Sequence, residues 1–181
     1  MPFEKRAFVF IGFPGSGKGE HCSYLQRYHG LHHVPVGDIL KEDPELSPYT
    51  SEGILCPFEK VKSVLEREVR KADSKDIVLD GAPRNRDQVS LVMNILEGCL
   101  VTYILLHCEW ITAFNRAISR PRSDSKPEII SRRLNEYMLN IDHIIQELKE
   151  RHQTVVKISS EPPIEEVRVE LLEKVISPVF V

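Results

Sequence analysis

The chain has 181 residues, 41% hydrophobic and 28% charged, enough for one full hydrophobic core and too few for two large ones. Its 24 basic residues against 27 acidic give a net charge of −3, so nothing favours a nucleic-acid-coating role. No apolar run approaches the roughly 18 residues of a membrane span, and Met1–Arg6 leads directly into the first strand with no room for a signal peptide, which points to a cytoplasmic protein.

The first predicted element is a strand, Ala7–Ile11, built from branched and aromatic residues. Gly12-Phe13-Pro14-Gly15-Ser16-Gly17-Lys18-Gly19-Glu20 follows at once and leads into a helix predicted near 17–28. Glycines let backbone N–H groups turn inward around an anion, and a helix aims its positive dipole end at the same spot. Lys18 adds a full charge where the outer phosphates of a nucleoside triphosphate would lie. The spacing fits G-x-x-x-x-G-K, although Gly19 stands where the general motif has Ser or Thr for magnesium. A purely structural glycine turn is the alternative, and the strand before and helix after weigh against it.

Further along, strands are predicted at His33–Val36, Ile77–Leu79, Leu100–Leu106 and Thr154–Ile158, with helices near 57–71, 86–96, 109–119, 127–151 and 163–176. This alternation predicts an α/β fold with a five-stranded parallel sheet covered by helices on both faces. Ile130, Leu134, Tyr137, Ile141, Ile144 and Leu148 make one apolar stripe on the longest helix. Glu42–Gly53 and Arg120–Lys126 are polar, charged and proline-bearing, so both read as exposed loops. The cysteines, Cys22, Cys56, Cys99 and Cys108, form no CxxC pair and read as reduced thiols. His32-His33 reads as surface or loop structure, and no zinc site is expected.

Asp80 ends a predicted strand and is followed by Gly81-Ala82-Pro83-Arg84. An acid at a strand's carboxyl end can orient magnesium through water, and an arginine just beyond can grip phosphate with both arms of its fork. From these residues alone, an Asp-Gly turn beside an exposed arginine is an equal reading. Arg116, Arg120, Arg122, Arg132 and Arg133 form a second basic cluster, a solvated face or a clamp for a transferring phosphoryl group.

Taken together these motifs resemble adenylate kinase and its nucleoside-monophosphate kinase relatives over essentially the whole chain. Gly12–Gly19 matches the family's G-x-P-G-x-G-K-G, which accounts for Gly19; Gly37-Asp38-Ile39-Leu40 matches G-D-[LI]-L-R with Lys41 for the arginine. Asp80-Gly81-Ala82-Pro83-Arg84 with Gln88 matches D-G-[FY]-P-R-x-x-x-Q, with Ala82 in place of the aromatic. Arg122, Asp124, Arg133, Leu134 and Tyr137 match G-R-x-D-D followed by R-L-x-x-Y, with Ser125 in place of the second acid. The resemblance implies a three-layer P-loop NTPase fold in one domain over 1–181, with a reduced acceptor-binding segment at about 37–60 and a reduced lid at about 119–127. It implies transfer of the γ-phosphoryl group of Mg-ATP to AMP, by a monomer that uses Mg²⁺ and no lid zinc. By the same resemblance Gly12, Pro14, Gly15, Ser16, Gly17, Lys18, Gly19, Glu20, Arg116 and Arg120 would face ATP, and Asp80 would hold hydrated magnesium. Val36, Lys41, Leu55, Gly81, Arg84, Gln88, Arg122 and Arg133 would face the acceptor; Lys18, Arg84, Arg120, Arg122 and Arg133 would act on the transferring group. Gln88 matches the position that reads adenine. A UMP/CMP kinase and a weakly active or inactive nucleotide-binding regulatory module are the alternatives.

Three departures stand out. Glu20 replaces the family's threonine and is expected to weaken nucleotide affinity while chemistry is retained. Lys41 keeps a charge but lacks the guanidinium fork. The lid is expected to exclude water less completely.

Overall fold

Residues Arg6–Gly12 form strand β1, and its period of two sorts its side chains to opposite sides of a sheet. Phe8 and Phe10 enter one core cluster, with Cys22, Leu25, Ile104 and Val167, whereas Ala7, Val9 and Ile11 enter the other, with Leu65, Val89, Tyr103 and Ile144. Because β1 is buried on both faces it has no polar side, and that is why it reads as a continuous apolar run. The structure is a computed structural model that describes residues 5–73, 75–120 and 125–177.

The other strands are β2 His32–Pro35, β3 Ile77–Asp80, β4 Leu100–His107 and β5 Thr154–Ser159. All pair in parallel, in the order β2-β3-β1-β4-β5. The helices are α1 Lys18–His29, α2 Val36–Glu42, α3 Ser47–Ser51, α4 Phe58–Arg70, α5 Arg86–Ile95, α6 Trp110–Ile118, α7 Pro127–Glu150 and α8 Ile164–Leu171. The chain is thus an α/β protein with the layered architecture of P-loop NTPases. After β1 the chain moves towards β2, and after β4 it moves the other way to β5, so a crevice opens at the carboxyl ends of these strands.

Three local expectations need correction. Val36 opens α2 instead of closing β2, because Pro35 ends the strand and Val36 and Leu40 bury themselves against the sheet. Glu42–Gly53 is not simply an exposed loop: it contains α3, and Leu46 is buried in the main core. Arg132 also ties this segment to α7, donating from Nη1 to the Glu52 carbonyl at 2.7 Å. His32 and His33 both lie in β2, with alternate orientations; a ring nitrogen of His32 is 3.0 Å from the Glu68 carbonyl. The predicted last helix is α8 followed by a π-helical turn over Leu172–Ile176, which buries Val175 and Ile176 beside Phe8. No helix among the described residues is long and apolar enough to cross a membrane.

Candidate active site

The glycine loop is shaped by close approach. A Cβ on Gly15 would sit 2.1 Å from the Ala113 carbonyl oxygen, and the residue's φ of +96° is itself costly for any other residue. A Cβ on Gly12 would sit 2.4 Å from the Leu106 carbonyl oxygen. Glycine therefore lets the loop lie directly on β4 and α6. Phe13 anchors it from below, packed against Ala113, Ile130 and Leu134, with its ring 4.3 Å from that of Tyr137. The loop ends at Gly17, the left-handed N-cap of α1, so the helix's unpaired N–H groups face the cleft.

Lys18 folds back over this loop, its Nζ donating to the carbonyls of Gly12 at 2.7 Å and Phe13 at 2.9 Å. Burial draws its pKa down to about 8, against the neighbouring Asp80 charge, which raises it; Arg84 and Arg133 lower it further. Asp80 sits at the end of β3, in register with Phe10 of β1 and Pro35 of β2. A Cβ on Gly19 would lie 3.4 Å from Asp80 Oδ2, so glycine at that position keeps open the space between the loop and the carboxylate.

Arg84 reaches the same cleft from the turn after β3. Its Nε donates to the Gly81 carbonyl at 2.9 Å, and its Nη2 passes 3.1 Å from where a Gly37 Cβ would be. Burial and the nearby Arg133 charge both depress its pKa. Cations packed this closely raise one another's energy, and an anion between them relieves it.

The cleft has a cavity volume of about 150 Å³. Of the residues singled out from sequence it is lined by Gly12, Pro14, Gly15, Gly17, Lys18, Gly19, Lys41, Leu55, Asp80, Gly81, Arg84, Arg120 and Arg133. A smaller cavity of about 10 Å³, with room for about one water, adjoins it through Leu55, Gly81 and Arg84 and is lined also by Val36 and Gln88. Three described positions stand apart from both. Ser16 is buried beneath the loop, its Oγ without a hydrogen-bond partner among the described residues. Glu20 points outward from the first turn of α1. Arg116 donates from Nη1 to the Ser160 carbonyl at 2.7 Å, holding α6 to the end of β5. Arg122 lies outside the described residues, as does Asp124.

Gln88 is buried, and its Oε1 accepts the Arg84 N–H at 2.9 Å, which leaves one oxygen lone pair and the amide N–H groups for a ligand. Glu136, which no motif singled out, also lines the cleft; its place three residues after Arg133 on α7 puts both on one helix face.

A strand, a glycine loop, a half-buried lysine at a helix N-terminus and a strand-end carboxylate define a P-loop protein built to hold phosphate groups. A family model described as "AAA domain" matches residues 11–136. Adenylate kinase 1 of Nostoc sp. (strain PCC 7120 / SAG 25.82 / UTEX 2576) is 30% identical over 177 residues, covering 90% of this chain and 95% of its own. The UMP-CMP kinase of Homo sapiens is 27% identical over 190 residues, covering 93% and 96% respectively. The adenylate kinase of Malacoplasma penetrans (strain HF-2) is 28% identical over 212 residues, covering 96% and 94%. The chain belongs to the adenylate kinase family of P-loop kinases and is a phosphotransferase of the nucleoside-monophosphate kinase type.

Proposed function

We propose that this kinase moves the γ-phosphoryl group of Mg-ATP to AMP. The observation that carries the reading is the convergence of Lys18, Arg84, Arg120 and Arg133 on one cleft, with Asp80 at its base. Phosphoryl transfer needs in-line positioning and neutralised charge more than covalent help. In this reading the loop amides and Lys18 hold the ATP phosphates, with Glu20 at the loop's outer edge. Arg84 and Lys41 hold the acceptor phosphate, and Arg120, Arg122 and Arg133 close over the group in flight. Arg116 supports the nucleotide side through α6. Asp80 is an oxygen donor facing the gap kept clear by Gly19, which suits a hydrated magnesium ion. When bound, that ion shields the phosphate charge.

Gln88, whose buried amide keeps one oxygen lone pair and its N–H groups for a ligand, supports adenine as the acceptor base, with Val36 and Leu55 beside it. A pyrimidine acceptor is the second reading, because Arg84 already occupies one lone pair of the Gln88 amide. A coupled assay with AMP, dAMP, UMP and CMP decides between them: AMP at least about tenfold ahead in kcat/KM is expected, and equal or better turnover of UMP or CMP would reverse the assignment. We further propose one domain over 1–181, a monomer with a reduced acceptor segment and lid, working where its four free cysteines stay reduced.

Two predictions arise here. Lys18 must carry its proton to hold an anion, and its pKa of about 8 is below its ordinary value. Above that pH, binding must first restore the proton, so ATP affinity is expected to fall towards about tenfold per pH unit. A titration with a fluorescent ATP analogue between about pH 7.5 and 9.5 measures this; a flat profile would remove Lys18 as the anion's partner. Glu20→Thr is expected to lower the KM for ATP by roughly 2- to 5-fold with little change in kcat, since it deletes a negative charge from the first turn of α1. An unchanged KM would show that the carboxylate does not act on nucleotide.

A further inference from the structure

Behind the cleft, three elements bring together side chains that are far apart in sequence. The sulfur of Cys22 on α1, a ring nitrogen of His33 on β2 and a carboxylate oxygen of Asp80 at the end of β3 all lie within 4.8 Å of one another. Cys22 is fully buried, and His33 is half-buried with an Nε2 that has no hydrogen-bond partner among the described residues. A buried polar atom left unpaired is costly, and such groups call for an explanation. Neither Cys22 nor His33 lines the cleft.

We propose that Cys22, His33 and Asp80 form a binding site for a soft divalent cation such as zinc, and that occupancy competes with the magnesium nucleotide for Asp80. A thiolate, an imidazole and a carboxylate are a zinc-type donor set, whereas magnesium takes oxygen ligands and leaves sulfur and nitrogen aside. Zinc bonds of about 2.0–2.3 Å place donors roughly 3.5 Å apart in a tetrahedron, so side-chain shifts on the order of 1 Å close the site. The fourth position is left for water from the cleft, which Asp80 also lines. Charge balances as well: thiolate and carboxylate neutralise the dication, which leaves the adjacent Lys18 beside a neutral centre. Binding converts the Cys22 thiol to a thiolate, and the proton leaves to solvent. Burial pushes the Cys22 thiol well above its usual range, so it is protonated and silent until a metal displaces that proton. Burial also holds the His33 imidazole below its usual range, hence neutral and able to ligate.

The competition rests on the magnesium role proposed for Asp80, but cation binding itself does not. The full chain is titrated with Co²⁺, read by the thiolate-to-metal charge-transfer absorbance, and the cobalt is then displaced with Zn²⁺. One equivalent is expected. Cys22→Ala is expected to abolish the band, His33→Asn to weaken binding at least about tenfold, and Cys99→Ala to change neither. Thermal melts establish that each variant is folded. In turnover assays zinc is expected to inhibit the wild-type protein and to spare Cys22→Ala. A band that survives Cys22→Ala, or unchanged affinity in a folded His33→Asn, overturns the site. Binding as assigned with turnover indifferent to zinc overturns the competition, and with it the magnesium role of Asp80 but not the site.

Discussion

Replacing Lys18 with Met is expected to lower turnover of every monophosphate by about 10²–10³-fold, the usual cost of one preorganised charge-stabilising donor. The reason lies in what Lys18 already has. Its ammonium is half-buried, and among the described residues its hydrogen bonds go to the Gly12 and Phe13 carbonyls. A phosphate chain is a far better partner, and the developing charge of the transferring group a better one still. Met retains most of the buried stem while removing a charge whose burial is unfavourable, so the melting temperature is expected to stay level or rise slightly. Steady-state kinetics with a thermal melt separate the two effects. Turnover within about tenfold of wild type would show that the loop amides alone hold the phosphates, and the site assignment would fail.

Arg84→Lys is expected to damage the acceptor side selectively. The Arg84 guanidinium is planar, anchored through Nε to the Gly81 carbonyl and fitted over Gly37, where even one methyl would crowd it. Lysine keeps the charge but cannot keep that anchor while presenting a fork to phosphate. Loss of one hydrogen bond to a charged group costs about 1.5–3 kcal/mol, so kcat/KM for the acceptor is expected to fall roughly 10–150-fold. The KM for ATP is expected to change by less than about threefold, because Lys18 and the loop amides remain. Equal losses on both substrates would mean that Arg84 organises the whole cleft and does not grip one phosphate.

The two experiments probe one arrangement from opposite ends. Lys18 enters from the helix that follows β1, and Arg84 from the turn that follows β3; β1 and β3 are paired neighbours, with Phe10 opposite Asp80. Register therefore decides how far the two cations stand from each other and from the carboxylate between them. A one-residue slip of β3 would turn Asp80 to the other face of the sheet and remove it from the cleft.

Several features were legible in the residues themselves because their physics is local. The glycine loop and Lys18 are contiguous, and the strand before them is marked by a continuous apolar run of branched and aromatic residues. Apolar runs place all five strands within a residue or two, and the α7 stripe from Ile130 to Leu148 follows the buried and half-buried face of the helix. Asp80 and Arg84 were found through a short motif that carries its own turn. What the chain order could not supply was distance between remote residues. The short helix α2 is too brief to show a period, and it is held by the burial of Val36 and Leu40. Leu46 lies in a polar, proline-bearing stretch, and its burial comes from the core that α2 and α4 close around it. The partner of Arg116 and the meeting of Cys22, His33 and Asp80 are decided only by tertiary structure. Hydrogen bonds, desolvation and metal ligation depend on separations of a few ångströms, and only the folded sheet with its helices brings residues tens of positions apart within that range.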